Sequence, residues 1–527
     1  MDTSDLNDIP QIKVAINASR RWWLHDKLLP YGKSIYARNR NVTRNTPINL
    51  MLTAFFSLAM AVPAANASDE NAEQDLGNEL ALIESWLDGQ RAYDRVPGLS
   101  AAIVHDQKLL WSGASGYADV EGKEPATADT IYGICSISKL FTGIAVMQLR
   151  DQGKVHLNDP VSELLPWFNL DQVHTGSPTI TLEGMLTHSA GLPRESESPY
   201  WSGPDFPFPT QLEIREKLGS QSTLYPASRY FQYSNLGLTL VGEVVEEKSG
   251  QQYEAYVREH ILTPIGLSDT DTGFPTDSRE TRVATGYSFP GRNGALEVMP
   301  RYDARGITPA AGFASTAVDL AKFASWQFRV RAGTGDQVLS ANTLREMQQV
   351  HWIDWDWETS WGLAFGIYRK GERTLTGHGG SCPGFNTRIY IDPISLYGVS
   401  VMANRNHVNV NGYASMMLDI LEAEGAPEAE PESNDPRLAD YVGSYDTRPW
   451  SGEDLIFRWK DGLAIVSLPT MEPLDNMVLL QHVAGDRFHT IRSDEQAGHE
   501  IIFTRDEAGQ VTHLTYHSNP QPKMQGE

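Results

Sequence analysis

The chain has 527 residues, of which 40% are hydrophobic, and a formal net charge of −24 at pH 7. This length is too great for one ordinary domain and predicts at least two. An acidic surface repels phosphate backbones and anionic lipid, so the composition argues against nucleic-acid partners and peripheral membrane binding, and two cysteines are too few for a disulfide scaffold or a metal cluster.

The first segment, residues 1–67, has the parts of an export signal. An apolar run at residues 48–62 follows an arginine-rich stretch, precedes Ala65-Asn66-Ala67, and is short for a membrane span. We expect cleavage near Ala67 and an exported protein, periplasmic or extracellular, without stable membrane association afterwards. Residues 1–37 exceed what a signal needs, so we expect the true start further downstream; the alternative is a membrane anchor at residues 48–62.

Residues 69–93 predict a helix, and the strands that follow predict a hairpin that leads to Ser136-Ile137-Ser138-Lys139. From Ser136 onward apolar residues recur at helical spacing, which predicts a mostly buried helix with Ser136 in its first turn. Backbone N–H groups there favour developing negative charge. Lys139 shares the face of Ser136, and a desolvated lysine can take the proton of a serine hydroxyl. Taken alone, the pattern also fits a capped helix with a solvated lysine.

His188 and the loop after it each allow two interpretations. We expect His188 to be a structural histidine at a helix end instead of a catalytic base, because no carboxylate is placed nearby to orient it. Residues 194–212 are rich in proline and aromatic side chains and lack any period. They predict a wall or lid of a substrate cleft, or else rings that cover the edge of a core.

The second half of the chain combines a helix, a sheet and a smaller domain. A helix begins near Asn235, so Tyr233 lies in the turn before it and can project into a cleft. Tryptophans in residues 351–361 suit either the binding of a ring or a cation, or a surface-capping cluster. Residues 362–404 alternate as strands, and the glycines around His378 allow close approach of a backbone or a ligand. We divide the chain into an N-terminal extension and signal (1–67), a main domain (68–422), a charged linker (423–436) and a C-terminal β-barrel-like domain (437–527).

Three motifs therefore stand in order: Ser136-x-x-Lys139, Tyr233-Ser234-Asn235 and His378-Gly379-Gly380. Together they resemble the motifs of the serine β-lactamase and penicillin-binding protein superfamily, in its class C-like branch. The resemblance covers about residues 76–422. It implies an α+β fold with an antiparallel sheet flanked by helices plus an all-helical lobe, and the small β-domain is similar to C-terminal domains of some family peptidases.

The resemblance implies a serine hydrolase that acts through an acyl-enzyme, without a metal or other cofactor. Ser136 would attack an acyl carbon, and Lys139 and Tyr233 would share the general base and acid work. The backbone N–H groups of Ser136 and Ser381 would form the oxyanion hole, in which each donor is typically worth roughly 3–4 kcal/mol.

The resemblance also assigns three residues to substrate binding. Asn235 would orient the lysine or the substrate carbonyl, and His378 and Gly380 would line the substrate side. A lysine in place of His378 would hold a fixed positive charge, whereas a histidine is largely neutral at pH 7. We therefore expect a peptidase, amidase or esterase for small molecules or short peptides, with β-lactamase activity as the alternative.

The same assignment places the two cysteines beside the two oxyanion donors. Cys135 precedes Ser136 and Cys382 follows Ser381, which makes them a candidate disulfide pair that would pin the oxyanion hole. Buried free thiols are the alternative.

Two further functions stay open at this point. A non-catalytic relative would bind cell-wall peptide as a sensor or scaffold. An unrelated hydrolase would use a serine with His188 and an aspartate, which the lack of a Gly-x-Ser-x-Gly motif disfavours. The substrate's stereochemistry, the role of the β-domain and the oligomeric state are left open by the sequence.

Overall fold

A computed structural model of the chain describes residues 69–333, 336–423, 436–449, 451–492 and 496–524. These residues belong to one compact unit, residues 65–527. The predicted export signal and nearly all of the predicted linker lie outside the described residues, so both stay predictions. In the part of the chain that is described, no helix combines the length and the apolar character needed to cross a membrane.

The helices and strands of these described ranges have the following bounds. The α-helices are α1 (Asp69–Tyr93), α2 (Ser138–Asp151), α3 (Val161–Leu164), α4 (Leu182–Leu186), α5 (Gln211–Leu218), α6 (Asn235–Ser249), α7 (Tyr253–Val257), α8 (Thr263–Ile265), α9 (Thr308–Ala311), α10 (Ala317–Arg331), α11 (Ala341–Met347) and α12 (Val410–Leu421). The strands are β1 (Gly98–His105), β2 (Lys108–Asp119), β3 (Glu124–Pro125), β4 (Tyr132–Gly133), β5 (Gly286–Tyr287), β6 (Val298–Met299), β7 (Ala314–Ser315), β8 (Trp352–Ile353), β9 (Ser360–Trp361), β10 (Gly366–Lys370), β11 (Arg373–Cys382), β12 (Phe385–Ile391), β13 (Tyr397–Ala403), β14 (Gly443–Asp446), β15 (Glu453–Trp459), β16 (Gly462–Leu468), β17 (Val478–Ala484), β18 (Arg487–Ile491), β19 (Ala497–Arg505), β20 (Val511–Tyr516) and β21 (Asn519–Pro522).

An antiparallel sheet of nine strands, in the order β3-β2-β1-β13-β12-β11-β10-β9-β8, divides the main domain into two layers. Side chains of β1 alternate between the layers, because successive residues of a strand point to opposite faces. Ala102 and Val104 join the larger core, which contains α2 and α6. Ala101 and Ile103 join the smaller core with α1 and α12. Both faces of β1 are therefore covered, which explains its continuous apolar sequence.

Helix α2 lies inside the larger core, between the sheet and the helical lobe. Every residue from Ser138 to Leu149 is buried, and a helix that is apolar all round is expected in such a place. Its neighbours α6 and α9 close over it. The prediction of a mostly buried helix is confirmed, and so is the predicted combination of an antiparallel sheet with a helical lobe.

Strands β14 to β21 pair antiparallel in sequence order and form a nearly closed barrel. A bridge between Tyr445 and Lys523 brings the first strand to the end of the last. In β15 the side chains alternate again: Ile456 enters the barrel core, whereas Leu455 and Phe457 pack with α1. The Trp86 indole N–H of α1 donates to Thr470 O at 2.8 Å. The β-domain thus packs on α1, which together with α12 covers the face of the sheet opposite α2.

Candidate active site

Ser136 lies in a 3-10 turn, Cys135–Ile137, directly before α2. We predicted Ser136 in the first turn of the helix, and the 3-10 turn runs directly into α2. Cys135 has a φ of 52°, so the right-handed segment extends no further towards the N-terminus than Ser136. The Ser138 hydroxyl fixes the turn, because it donates to Cys135 O at 2.5 Å and accepts the Phe313 N–H at 3.0 Å. The turn leaves Ser136 half-buried while Cys135 and Ile137 are buried.

The Lys139 amine lies within hydrogen-bond distance of three oxygens. Nζ is 3.1 Å from Ser136 Oγ, 2.8 Å from Asn235 Oδ1 and 2.6 Å from Ala310 O. The side chain is fully buried, and this burial holds the pKa of Lys139 well below its usual range. The structure therefore brings together the serine and the lysine that the sequence predicts on one face.

The neutral form of Lys139 fits these three contacts. A carbonyl oxygen only accepts, so Ala310 O and Asn235 Oδ1 each take one N–H. A neutral amine has two N–H bonds and one lone pair, and the lone pair is then left for the hydroxyl proton of Ser136. The arrangement is that of a base hydrogen-bonded to its nucleophile.

Tyr233 precedes α6 as the sequence predicts, and interaction with the Ser136 side chain lowers the pKa of the phenol against the larger effect of burial. Lys139 Nζ lies 5.0 Å from the centre of the Tyr233 ring. Burial raises the pKa of Tyr233, so the phenol keeps its proton at neutral pH. The Ser234 hydroxyl caps α6 by accepting the Gly237 N–H at 2.9 Å, which fixes the turn that carries Tyr233.

Glu195 is a site residue that sequence reasoning missed. Its oxygens accept hydrogen bonds from Asn235 Nδ2 at 2.8 and 3.0 Å and one from the Tyr200 hydroxyl. Because a carboxylate only accepts, the amide nitrogen of Asn235 must face Glu195 and the amide oxygen must face Lys139. The predicted role of Asn235 in orienting the lysine thus depends on a carboxylate that the sequence offers no pattern to find.

His378 and Gly380 lie on β11, beside the segment that leads into Ser136. Pairing of β10 with β11 ends at Gly377, so the residues of β11 after it have no strand partner on the β10 side among the described residues. On Gly380, a Cβ atom would overlap Ile134 O and Thr387 Oγ1. Glycine is therefore required for this close approach. His378 is buried, its Nδ1 is 2.6 Å from Gly379 O, and burial together with the nearby Lys139 lowers its pKa to about 3.

A disulfide joins Cys135 to Cys382, with Cα atoms 5.7 Å apart. The bond connects the residue before Ser136 to the residue after Ser381. Residues 134–136 and 380–382 consequently run side by side, which is the placement that two backbone donors for one oxyanion require.

His188 packs behind Tyr233, with ring centres 4.3 Å apart, and accepts the Ser234 N–H on Nδ1 at 3.1 Å. Burial, with the neighbouring Lys139, holds the pKa of His188 well below its usual range. These contacts support the structural interpretation of this histidine. In the described ranges, no three His, Cys, Asp or Glu side chains are grouped as a metal site.

The aromatic side chains of residues 194–212 and of residues 351–361 lie partly in the core and partly at the surface. Tyr200 and Phe208 are buried in the larger core, so the rings of residues 194–212 cover a core edge. The start of this loop reaches the site through Arg194 and Glu195. Trp361 is 8% exposed and packs on His378 with ring centres 5.4 Å apart. Trp355 is 82% exposed.

The fold and the arrangement around Ser136 define a protein of the serine β-lactamase and penicillin-binding protein class. The sequence profile of the beta-lactamase family matches residues 83–420. The chain therefore belongs to the beta-lactamase family.

The chain is also similar to named relatives and to solved structures. It is 28% identical over 271 residues to Beta-lactamase-like protein 2 of Dictyostelium discoideum (51% of this chain, 48% of that protein). It is 26% identical over 332 residues to Protein flp of Staphylococcus aureus strain MW2 (62% of this chain, 63% of that protein). The chain thus spans about half to two thirds of the length of these relatives.

Among solved structures, the octameric penicillin-binding protein homologue from Pyrococcus abyssi superposes with a TM-score of 0.58 at 25% identity, over 84% of this chain and all of that one. The D-amino acid amidase from Ochrobactrum anthropi SV3 gives a TM-score of 0.55 at 23% identity, over 66% of this chain and 99% of that chain. EstCE1, a hydrolase with promiscuous acyltransferase activity, gives 0.54 at 20% identity, over 67% of this chain and 99% of that chain. The last two similarities concern the fold alone.

Proposed function

We propose that this protein is an exported serine hydrolase that cleaves small amide or ester substrates through an acyl-enzyme on Ser136. The observation that carries the proposal is the buried Lys139 amine, 3.1 Å from Ser136 Oγ, with its two other contacts on oxygens that only accept. A buried amine held in this way is suited to act as a base near neutral pH.

In the proposed acylation, Lys139 takes the Ser136 proton while Oγ forms a bond to the acyl carbon. The N–H groups of Ser136 and Ser381 hold the oxygen of the tetrahedral intermediate. Tyr233 gives its proton to the leaving amine or alcohol as the old bond breaks, and recovers one from the Lys139 ammonium. Water then forms a bond to the acyl carbon and gives one proton to neutral Lys139, which passes it to Ser136 Oγ as the bond between Oγ and the acyl carbon breaks and the carboxylic acid leaves.

The neutral His378 supports an amidase, peptidase or esterase over a β-lactamase. With a pKa lowered to about 3, it carries no charge at neutral pH, and it therefore lacks the fixed positive charge that a lysine at this position would present. Two proteins that share the fold are an amidase and a hydrolase, so the fold accommodates this chemistry.

Covalent labelling tests the proposal directly. A fluorophosphonate probe is expected to add one adduct to the wild-type protein by intact mass, and none to Ser136→Ala, because the probe requires an activated serine. p-Nitrophenyl esters and alanyl anilides should be hydrolysed faster than nitrocefin. A protein that binds penicillin or peptide but forms no adduct would be a sensor or scaffold and would contradict the proposal.

Glu195→Gln is expected to move the acidic limb of the activity profile to lower pH. Activity requires neutral Lys139, and the Glu195 carboxylate favours the ammonium form, so it raises the pKa of that amine against the larger effect of burial. Removing the charge lowers this pKa further, and the base stays neutral in more acidic solution. The measurement is kcat/KM for p-nitrophenyl acetate against pH.

The exposed neighbour Glu197 provides the matched control, since Glu197→Gln removes a carboxylate with the same change. Both nearby histidines have lowered pKa values, so they stay neutral through this range and the limb reports on Lys139. A limb that stays in place, or moves to higher pH, would show that Glu195 does not act on the lysine. The charged and titratable groups that surround Lys139 are Glu195, Arg194, His188, Tyr233 and His378.

A further inference from the structure

The third motif supplies no positive charge to a substrate. His378 is 4% exposed, and its Nδ1 lies 2.6 Å from Gly379 O, which assigns the proton to that nitrogen. The nearby Arg388 is 7% exposed. Its guanidinium lies between the Tyr368 and Tyr390 rings, at 4.9 and 4.6 Å from their centres. Neither side chain offers a cation to the cleft.

The Lys139 amine is equally closed to a substrate anion. It is fully buried, and its contacts with Ser136, Asn235 and Ala310 use its hydrogen-bonding capacity. A substrate carboxylate would have to displace one of these oxygens, and two of them are needed to hold the base.

Arg194 differs from His378, Arg388 and Lys139 in both position and exposure. Its guanidinium carbon lies 4.9 Å from the centre of the Tyr233 ring, and its side chain is 59% exposed. Its backbone is fixed to the second motif, because Arg194 O accepts the Asn235 N–H at 2.7 Å and the Leu236 N–H at 3.2 Å. A permanent positive charge is thus held at the accessible side of Tyr233.

The Arg194 guanidinium has N–H donors that its pairing with Glu195 does not use. Nε pairs with Glu195 Oε1 at 3.1 Å, which uses one side of the planar fork. Arginine carries five N–H donors and can bind a second carboxylate through its terminal nitrogens. The pair with Glu195 therefore fixes the plane of the group without exhausting it.

We infer that Arg194 is a specificity residue that binds a carboxylate of the substrate on the Tyr233 wall of the cleft, in place of a cation on β11. The inference rests on the proposed hydrolase function and adds a preference: among amides and esters of otherwise equal structure, those with a free carboxylate bind more tightly. Because the overall charge of −24 repels anions, a local cation favours the approach of a substrate carboxylate to the site.

Binding of matched probes tests the assignment without requiring turnover. The probes are N-acetyl-alanyl-alanine, in the D,D and L,L forms, and the C-terminal amide of each, and calorimetry on Ser136→Ala gives their affinities. We expect one carboxylate form to bind about 10- to 100-fold more tightly than its amide, the range of a hydrogen bond to a charged group. Adding Arg194→Gln should bring this ratio close to one, and adding Arg194→Lys should restore part of it.

Adding Arg448→Gln is the control, because it removes an exposed arginine from the β-domain and should keep the wild-type ratio. The ratio within each variant cancels general losses of affinity. Three results would overturn the assignment. In Ser136→Ala alone, these are equal binding of the carboxylate and amide probes, or no measurable binding of either. In the double variant with Arg194→Gln, it is a preference for the carboxylate that persists. The labelling of Ser136 is independent of both results, so failure of the specificity and failure of the hydrolase function are distinguishable.

Discussion

Replacement of Lys139 by methionine is expected to lower kcat/KM for p-nitrophenyl acetate by about 10²- to 10⁴-fold, the usual contribution of a positioned general base. Methionine fills a similar volume but cannot accept the Ser136 proton. The same variant should react with the fluorophosphonate probe at a correspondingly reduced rate, since the probe and the substrate need the same activated hydroxyl.

The loss should also remove the pH dependence that the lysine imposes. In the wild-type protein, activity falls on acidification as the amine becomes charged, because only the neutral amine can take the Ser136 proton; burial lowers the pKa of Lys139 and so moves this fall to lower pH. In Lys139→Met no amine titrates, so the residual activity should lack that acidic limb. A profile of unchanged shape would assign the base to another residue.

Two measurements separate this loss from misfolding. The variant leaves the oxygens of Asn235 and Ala310 without a donor inside the core, so some destabilisation is expected, and activity must be compared at a temperature where circular dichroism shows both proteins folded. Lys154→Met, at an exposed position after the same helix, controls for loss of a lysine. Activity within tenfold of the wild type in folded Lys139→Met would refute the proposed role.

The sequence predicted those parts of the site that follow from local periodicity. Lys139 stands three residues after Ser136, and helical spacing alone puts both on one face. The apolar neighbours of Lys139 also indicated its burial, which the structure confirms. The 3-10 form of the turn at Ser136 does not follow from local periodicity, because it depends on a hydrogen bond between Ser138 and Phe313, 175 residues apart in the chain.

Glu195 shows what local pattern cannot reveal. It lies in an aperiodic loop, and its role depends on Asn235, 40 residues away. A lone glutamate after Pro193 carries no signal of its own; a pairing of this kind is decided by tertiary packing. The tryptophans of residues 351–361 could not be told apart from sequence for a related reason. Pairing of β8 with β9 buries Trp361 and leaves Trp355 in solvent, and composition does not distinguish the two.

The double substitution Cys135→Ala with Cys382→Ala is expected to lower both stability and catalysis. The bond closes a loop with a sequence separation of 247 residues, and loss of a native disulfide typically costs about 2–4 kcal/mol of unfolding free energy. It also joins the neighbours of the two proposed oxyanion donors. One such donor is worth about 10²- to 10³-fold in kcat, so partial misalignment should cost up to about 10²-fold.

Alanine is the suitable replacement because both cysteines are buried, and a serine hydroxyl there would need a new partner. Denaturant unfolding measures the loss of unfolding free energy. The loss of catalysis is measured as kcat for p-nitrophenyl acetate under conditions in which both proteins are fully folded. Reduction of the wild-type protein should lower kcat towards that of the double variant and reoxidation should restore it, whereas the double variant should not respond to reductant. If the folded double variant keeps the wild-type kcat, the disulfide stabilises the fold without aligning the oxyanion hole, and the close packing of Gly380 on Ile134 is sufficient to hold both donors in place.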